Sequence, residues 1–88
     1  MGFYSIDFKP TVEKDVSRLQ KAMVARAMHR IAELKTNPLP SDVVKLKGSE
    51  KLYRIRVGDY RIVYEVDTHA KQVMIHYIRH RRDVYRRL

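Results

Sequence analysis

Leu52-Tyr53-Arg54-Ile55-Arg56-Val57-Gly58-Asp59-Tyr60-Arg61-Ile62-Val63-Tyr64-Glu65-Val66 decides the fold. Apolar and polar residues alternate on both arms, and Gly58-Asp59 between them is a short hairpin signal. A two-residue loop leaves one register. Val57 then faces Tyr60, Arg56 faces Arg61, Ile55 faces Ile62, Arg54 faces Val63 and Tyr53 faces Tyr64. Because side chains alternate across a strand, one face carries Tyr53, Ile55, Val57, Tyr60, Ile62 and Tyr64. The other carries Arg54, Arg56 and Arg61, with Glu65 as its counter-charge. Like charges opposite each other destabilise a sheet, so a guanidinium face is expected to meet an anion. Arginine suits phosphate because its planar fork holds two oxygens at once.

Composition bounds the partners. Eighty-eight residues with 44% hydrophobic content read as one small domain spanning 1–88, able to bury about 60–65% of its unfolded surface. With no cysteine there is no disulfide framework and no thiolate chemistry. No apolar run approaches a membrane span and no signal peptide opens the chain, so a cytoplasmic protein without a membrane partner is expected. The net charge of +9 points to a nucleic acid, a ribonucleoprotein surface or an acidic protein.

Around the hairpin, Tyr4, Ile6 and Phe8 alternate with polar residues, which predicts a half-buried strand over 3–9. Thr11 is the expected N-cap of a helical stretch over 12–35, with Glu13 and Asp15 placed for its dipole. Val12, Val16, Leu19, Met23, Ala27, Met28, Ile31 and Leu34 recur at helical spacing, and Asn37-Pro38 stops them. His29 reads as a surface residue. Residues 37–51 form a connection pinned by Val43, Val44 and Leu46. In the last strand Val73, Ile75 and Tyr77 alternate with Met74, His76 and Ile78. The expected architecture is α+β: an N-terminal strand, helices, and a three-stranded antiparallel meander, giving a four-stranded sheet.

The tail Arg79-His80-Arg81-Arg82-Asp83-Val84-Tyr85-Arg86-Arg87-Leu88 is the second charge concentration. It starts at a strand end in the same sheet as the arginine face, and it holds a histidine and a tyrosine able to move protons or stack on a base. The acids are scattered, which disfavours a hard-metal site, and neither metal nor cofactor is expected. A positive, metal-free site with His and Tyr suits attack of an RNA 2′-hydroxyl on its neighbouring phosphate. Arginines would stabilise the phosphorane, and the products would be a 2′,3′-cyclic phosphate and a 5′-hydroxyl.

Lys45-Leu46-Lys47-Gly48, the hairpin 52–64 and His80-Arg81-Arg82-Asp83-Val84-Tyr85 together resemble the RelE/ParE toxin superfamily, and the RelE branch within it. The resemblance covers nearly the whole chain. It implies a helical hairpin breaking near residues 20–22, and a toxin of a type II toxin–antitoxin system that cuts mRNA in the ribosomal A site and so inhibits translation. The implied partners are the ribosome, mRNA and a RelB-like antitoxin, acidic or amphipathic, in an oligomeric complex. Residue by residue, it implies catalytic roles for Arg54, Arg56 and Arg61, for Arg81 (or, in its place, Arg79 or Arg82), and for Tyr85. Lys45, Lys47, Arg79, Arg82 and Arg86 would contact RNA. Where some relatives carry lysines, Arg54 and Arg56 stand here. Arginine stays protonated, so proton removal would fall to His80, Tyr85 or water, with His80 expected as the general base and Tyr85 for stacking or as the acid. The alternative within the superfamily is a ParE-like inhibitor of DNA gyrase without nuclease activity.

Overall fold

The computed structural model describes residues 3–82. Strand β1 (Ser5–Phe8) leads into helices α1 (Thr11–Ser17) and α2 (Lys21–Glu33). Strands β2 (Val44–Lys45), β3 (Leu52–Val57), β4 (Tyr60–Asp67) and β5 (Gln72–His80) follow. They form one sheet in the order β1-β5-β4-β3-β2, with β1 parallel to β5 and the other neighbours antiparallel. The α+β class matches the expectation. The sheet has five strands rather than four, because Val44 and Lys45 in the connection pair with Arg54 and Tyr53.

The hairpin has the register that its two-residue turn requires: Val57 lies opposite Tyr60, Arg56 opposite Arg61, and Ile55 opposite Ile62. Gly58 has φ +58, a left-handed conformation that favours glycine at the first turn position. A β-carbon there would lie 3.2 Å from Met23 Cε and 3.5 Å from an Arg26 guanidinium nitrogen, so α2 packs against the turn. At the other end of β4, the Asp67 carboxylate accepts the N–H groups of His69 and Ala70. The Ala70 bond is the main reason that its pKa lies below the usual carboxylate value.

The helices cover one face of the sheet. Val12, Ala27, Ile31 and Leu34 pack on Ile55, Val57, Ile62, Tyr64, Val66, Val73, Ile75 and Ile78. Tyr64 is fully buried, and its hydroxyl donates to Pro38 O at 2.7 Å, tying the 37–40 segment to the core. Burial raises its pKa well above the usual phenol value.

Several local expectations change. The helical stretch divides at 18–20, slightly before 20–22. Ser17 Oγ donates to Lys14 O at 2.7 Å at the end of α1, and Gln20 is extended. A serine competing for the backbone, rather than Gly or Pro, marks this break. Pro10 is the N-cap, and Thr11 is already helical. Phe8 and Met28 stay 44% and 36% exposed, both lining a surface groove beside Val12 and Val16. In β5 the register shifts beside Val63 and Tyr64, so Ile78 rather than Tyr77 shares the core face with Val73 and Ile75.

Ile62 sits fully buried at the centre of this face. Ile62→Ala should lower unfolding free energy by about 2–4 kcal/mol through a core cavity. A urea midpoint equal to wild type would show the face assignment to be inverted.

Candidate nucleic-acid interface

The sheet's second face places its arginines in a row. Arg56 of β3 pairs with Arg61 of β4, and Arg61 pairs with Arg79 of β5. Three cations therefore occupy adjacent ladder positions across three strands. Arg54 lies two pairs further from the turn, opposite Val63. Arg56 is exposed, whereas Arg61 keeps only 5% of its surface. Neighbouring guanidinium groups repel one another, and an anion at this row would reduce that repulsion.

Arg79 is held from below. Its Nε lies 3.5 Å from Asp15 Oδ1, and its guanidinium carbon lies 4.6 Å from the Tyr77 ring centroid. Asp15 Oδ2 also accepts the Ile78 N–H at 3.2 Å. Strand β1 ends at Phe8, so the β5 edge beyond it is open there, and the buried Asp15 of α1 satisfies it. The sequence places Asp15 for the helix dipole; the structure turns its carboxylate to Ile78 and Arg79 of β5.

Beyond β5, Arg81 N donates to Asp59 O at 2.9 Å, fastening the start of the tail to the hairpin turn. This contact gathers Arg56, Arg61 and Arg81 with Tyr60 and Asp59 around a small pocket at the sheet's end. Tyr60, placed by alternation on the core face, lines this pocket because its position is next to the turn.

The other sequence candidates distribute differently. His80 pairs with Tyr60 on the helix side of the sheet, the two rings meeting edge-on at 5.3 Å. Its Nδ1 accepts the Arg82 N–H at 3.2 Å. The histidine beside Glu65 is His76, with Nε2 3.2 Å from Glu65 Oε1. The bulge put it there, and no sequence signal marks the bulge. Lys45 and Lys47 are exposed; Lys45 pairs with Tyr53, two strands away from β5. Arg82 is exposed. Tyr85 and Arg86 lie outside the described residues. Among the described residues no three His, Asp or Glu side chains gather as a metal site, and no helix is long and apolar enough to cross a membrane.

A family model for the ParE toxin of type II toxin–antitoxin systems matches residues 6–85. The chain belongs to this toxin family. Its relatives are of RelE type. A RelE1 toxin candidate of Methanocaldococcus jannaschii is 31% identical over 86 residues, 94% of this chain and 96% of that protein. The chain also resembles a chain in the crystal structure of the archaeal RelE–RelB complex from Pyrococcus horikoshii. There the identity is 33% and the TM-score 0.81, with 90% of this chain and 96% of that one covered. The isolated Escherichia coli RelE toxin, 22% identical with a TM-score of 0.77, shares the fold across 97% of this chain and 99% of its own. The protein is thus a RelE-type toxin of the RelE/ParE superfamily.

Asp15 supplies a test of the site's support. Asp15→Ala should cost about 1.5–3 kcal/mol in urea unfolding, the range for a hydrogen bond to a charged group. A loss below about 0.5 kcal/mol would mean that the carboxylate does not anchor α1 to β5.

Proposed function

We propose that the protein is a ribosome-dependent endoribonuclease that cleaves mRNA in the A site without a metal ion. The observation that carries this reading is the convergence of Arg56, Arg61 and Arg81 on one pocket at the sheet's end. Three guanidinium forks can surround a phosphodiester and strengthen their grip as negative charge builds on its oxygens.

The 2′-hydroxyl attacks the adjacent phosphorus, its proton passing to water. The P–O5′ bond breaks, leaving a 2′,3′-cyclic phosphate and a 5′-hydroxyl. Arg61, the least exposed of the three, stabilises the phosphorane most, because fixed charges act strongly where water is scarce. The leaving 5′ oxygen is protonated by water, and His80, next to Arg81 in the chain, stays a proposed proton-transfer residue. Arg54, Arg79 and Arg82, with Lys45 and Lys47 at the far edge, extend the positive field for RNA. Tyr85 and Arg86, carried over from the family resemblance, belong to the same proposed site as stacking and phosphate contacts. The cognate partner is a RelB-like antitoxin, by likeness to the RelE–RelB complexes, in a cytoplasmic and oligomeric toxin–antitoxin complex.

The test is primer extension on an mRNA incubated with purified protein, with and without programmed ribosomes. Cuts should appear only with ribosomes, within the A-site codon, and carry 5′-hydroxyl ends. Arg61→Ala should slow cleavage by about 100-fold or more. Because the family model bears the ParE name, the rival is gyrase inhibition. Absence of cuts together with blocked supercoiling by gyrase would replace the ribonuclease reading with that one.

A further inference from the structure

A second cationic pocket lies on the other side of the hairpin tip. It encloses about 460 Å³ between α2 and the end of β3. Arg26, His29, Arg30 and Arg56 surround it, with Ala25 and Val57 as its aliphatic part. Arg30 is committed to Asp42, at 2.7 Å. Among the described residues, Arg26 and Arg56 make no ion pair, and His29 is exposed. The pocket is therefore built with cations beyond those that its acidic neighbour neutralises.

Its position matters more than its charge. Arg56 and Gly58 line both this pocket and the smaller one holding Arg61 and Arg81. Gly58 lies at the tip between them, and Arg26 sits against it. A side chain at position 58 would crowd this passage as well as strain the turn. A ligand reaching from one pocket to the other would thus meet four arginines that line them: Arg81, Arg61, Arg56 and Arg26.

We infer that the α2 pocket is a second nucleotide subsite, holding the base and phosphate next to the cleaved bond as one RNA strand crosses the hairpin tip. This rests on the RNA-cleaving reading above. An acidic peptide would also meet the charge. A nucleotide additionally presents a flat π-face to the His29 ring and the Arg26 guanidinium, and an RNA strand carries its charges along a chain that can reach both arginine-lined pockets.

The experiment measures fluorescence anisotropy of a labelled single-stranded RNA hexanucleotide, and of a dinucleotide, against wild type and Arg26→Ala/His29→Ala. Both side chains are exposed, so the variant should keep the wild-type melting temperature. Hexanucleotide affinity should fall about tenfold, the scale of one lost stack or phosphate contact. The plot of log affinity against log salt should flatten by about 0.7 for the lost phosphate. Dinucleotide affinity, supplied by the first pocket, should stay within about twofold, well inside the tenfold that one stack provides. Equal hexanucleotide affinity and salt slope in the two proteins would overturn the inference. So would a loss confined to a polyglutamate peptide or to vacant ribosomes, which would assign the pocket to an acidic protein or to ribosomal RNA. Cleavage of ribosome-bound mRNA is scored separately. A wild type that binds the hexanucleotide in this way but never cuts would retain the subsite and lose the proposed reaction.

Discussion

The two-residue turn at Gly58-Asp59 is the constraint on which the rest depends. It fixes one register, and that register sets two opposite surfaces at once. Ile55, Val57, Ile62 and Tyr64 go into the core, while Arg54, Arg56 and Arg61 go to the far side. A slip of one residue would exchange the faces, burying guanidinium groups under the helices and exposing the apolar ladder. Core formation therefore enforces the arrangement of the charged face. The helices take part from behind: Met23 and Arg26 of α2 close on Gly58, and Asp15 of α1 holds Ile78 and Arg79.

Concentrating cations in this way opposes stability and needs offsets. Asp15 supplies one beneath Arg79, and the Tyr77 ring supplies another above it. Asp59 contributes its carbonyl to the Arg81 backbone at the turn. The row remains positive, and a phosphate, as proposed above, would complement it.

The sequence revealed the parts governed by strong local rules. Hairpin register follows from two residues, and the core face of α2 follows from Met23, Ala27, Ile31 and Leu34 at helical spacing. The break between helices was harder to place because Ser17, a mild competitor for backbone hydrogen bonds, ends α1. Strand β2 has two residues inside a turn-rich connection, too few for an alternating pattern. The shift in β5 was invisible because His76 and Tyr77 are each compatible with either face. At the site, clustering of Arg56, Arg61 and Arg81 could be anticipated from strand alternation and family resemblance. The hydrogen bond from the Arg82 N–H to His80 Nδ1 could not, since it depends on where that N–H points. Neither could the α2 pocket, whose residues meet Arg56 only through the packing of helix on turn.

The register-locked arginines are proposed above as a phosphate site. The most direct measurement follows the arginine Nε–H signals by NMR during titration with a short RNA whose 2′-hydroxyl at the scissile position is replaced by hydrogen. The account predicts saturable shifts of the Arg56, Arg61 and Arg81 signals at a common affinity that weakens with salt. Signals of those three residues that stay unmoved while the RNA binds elsewhere would contradict it.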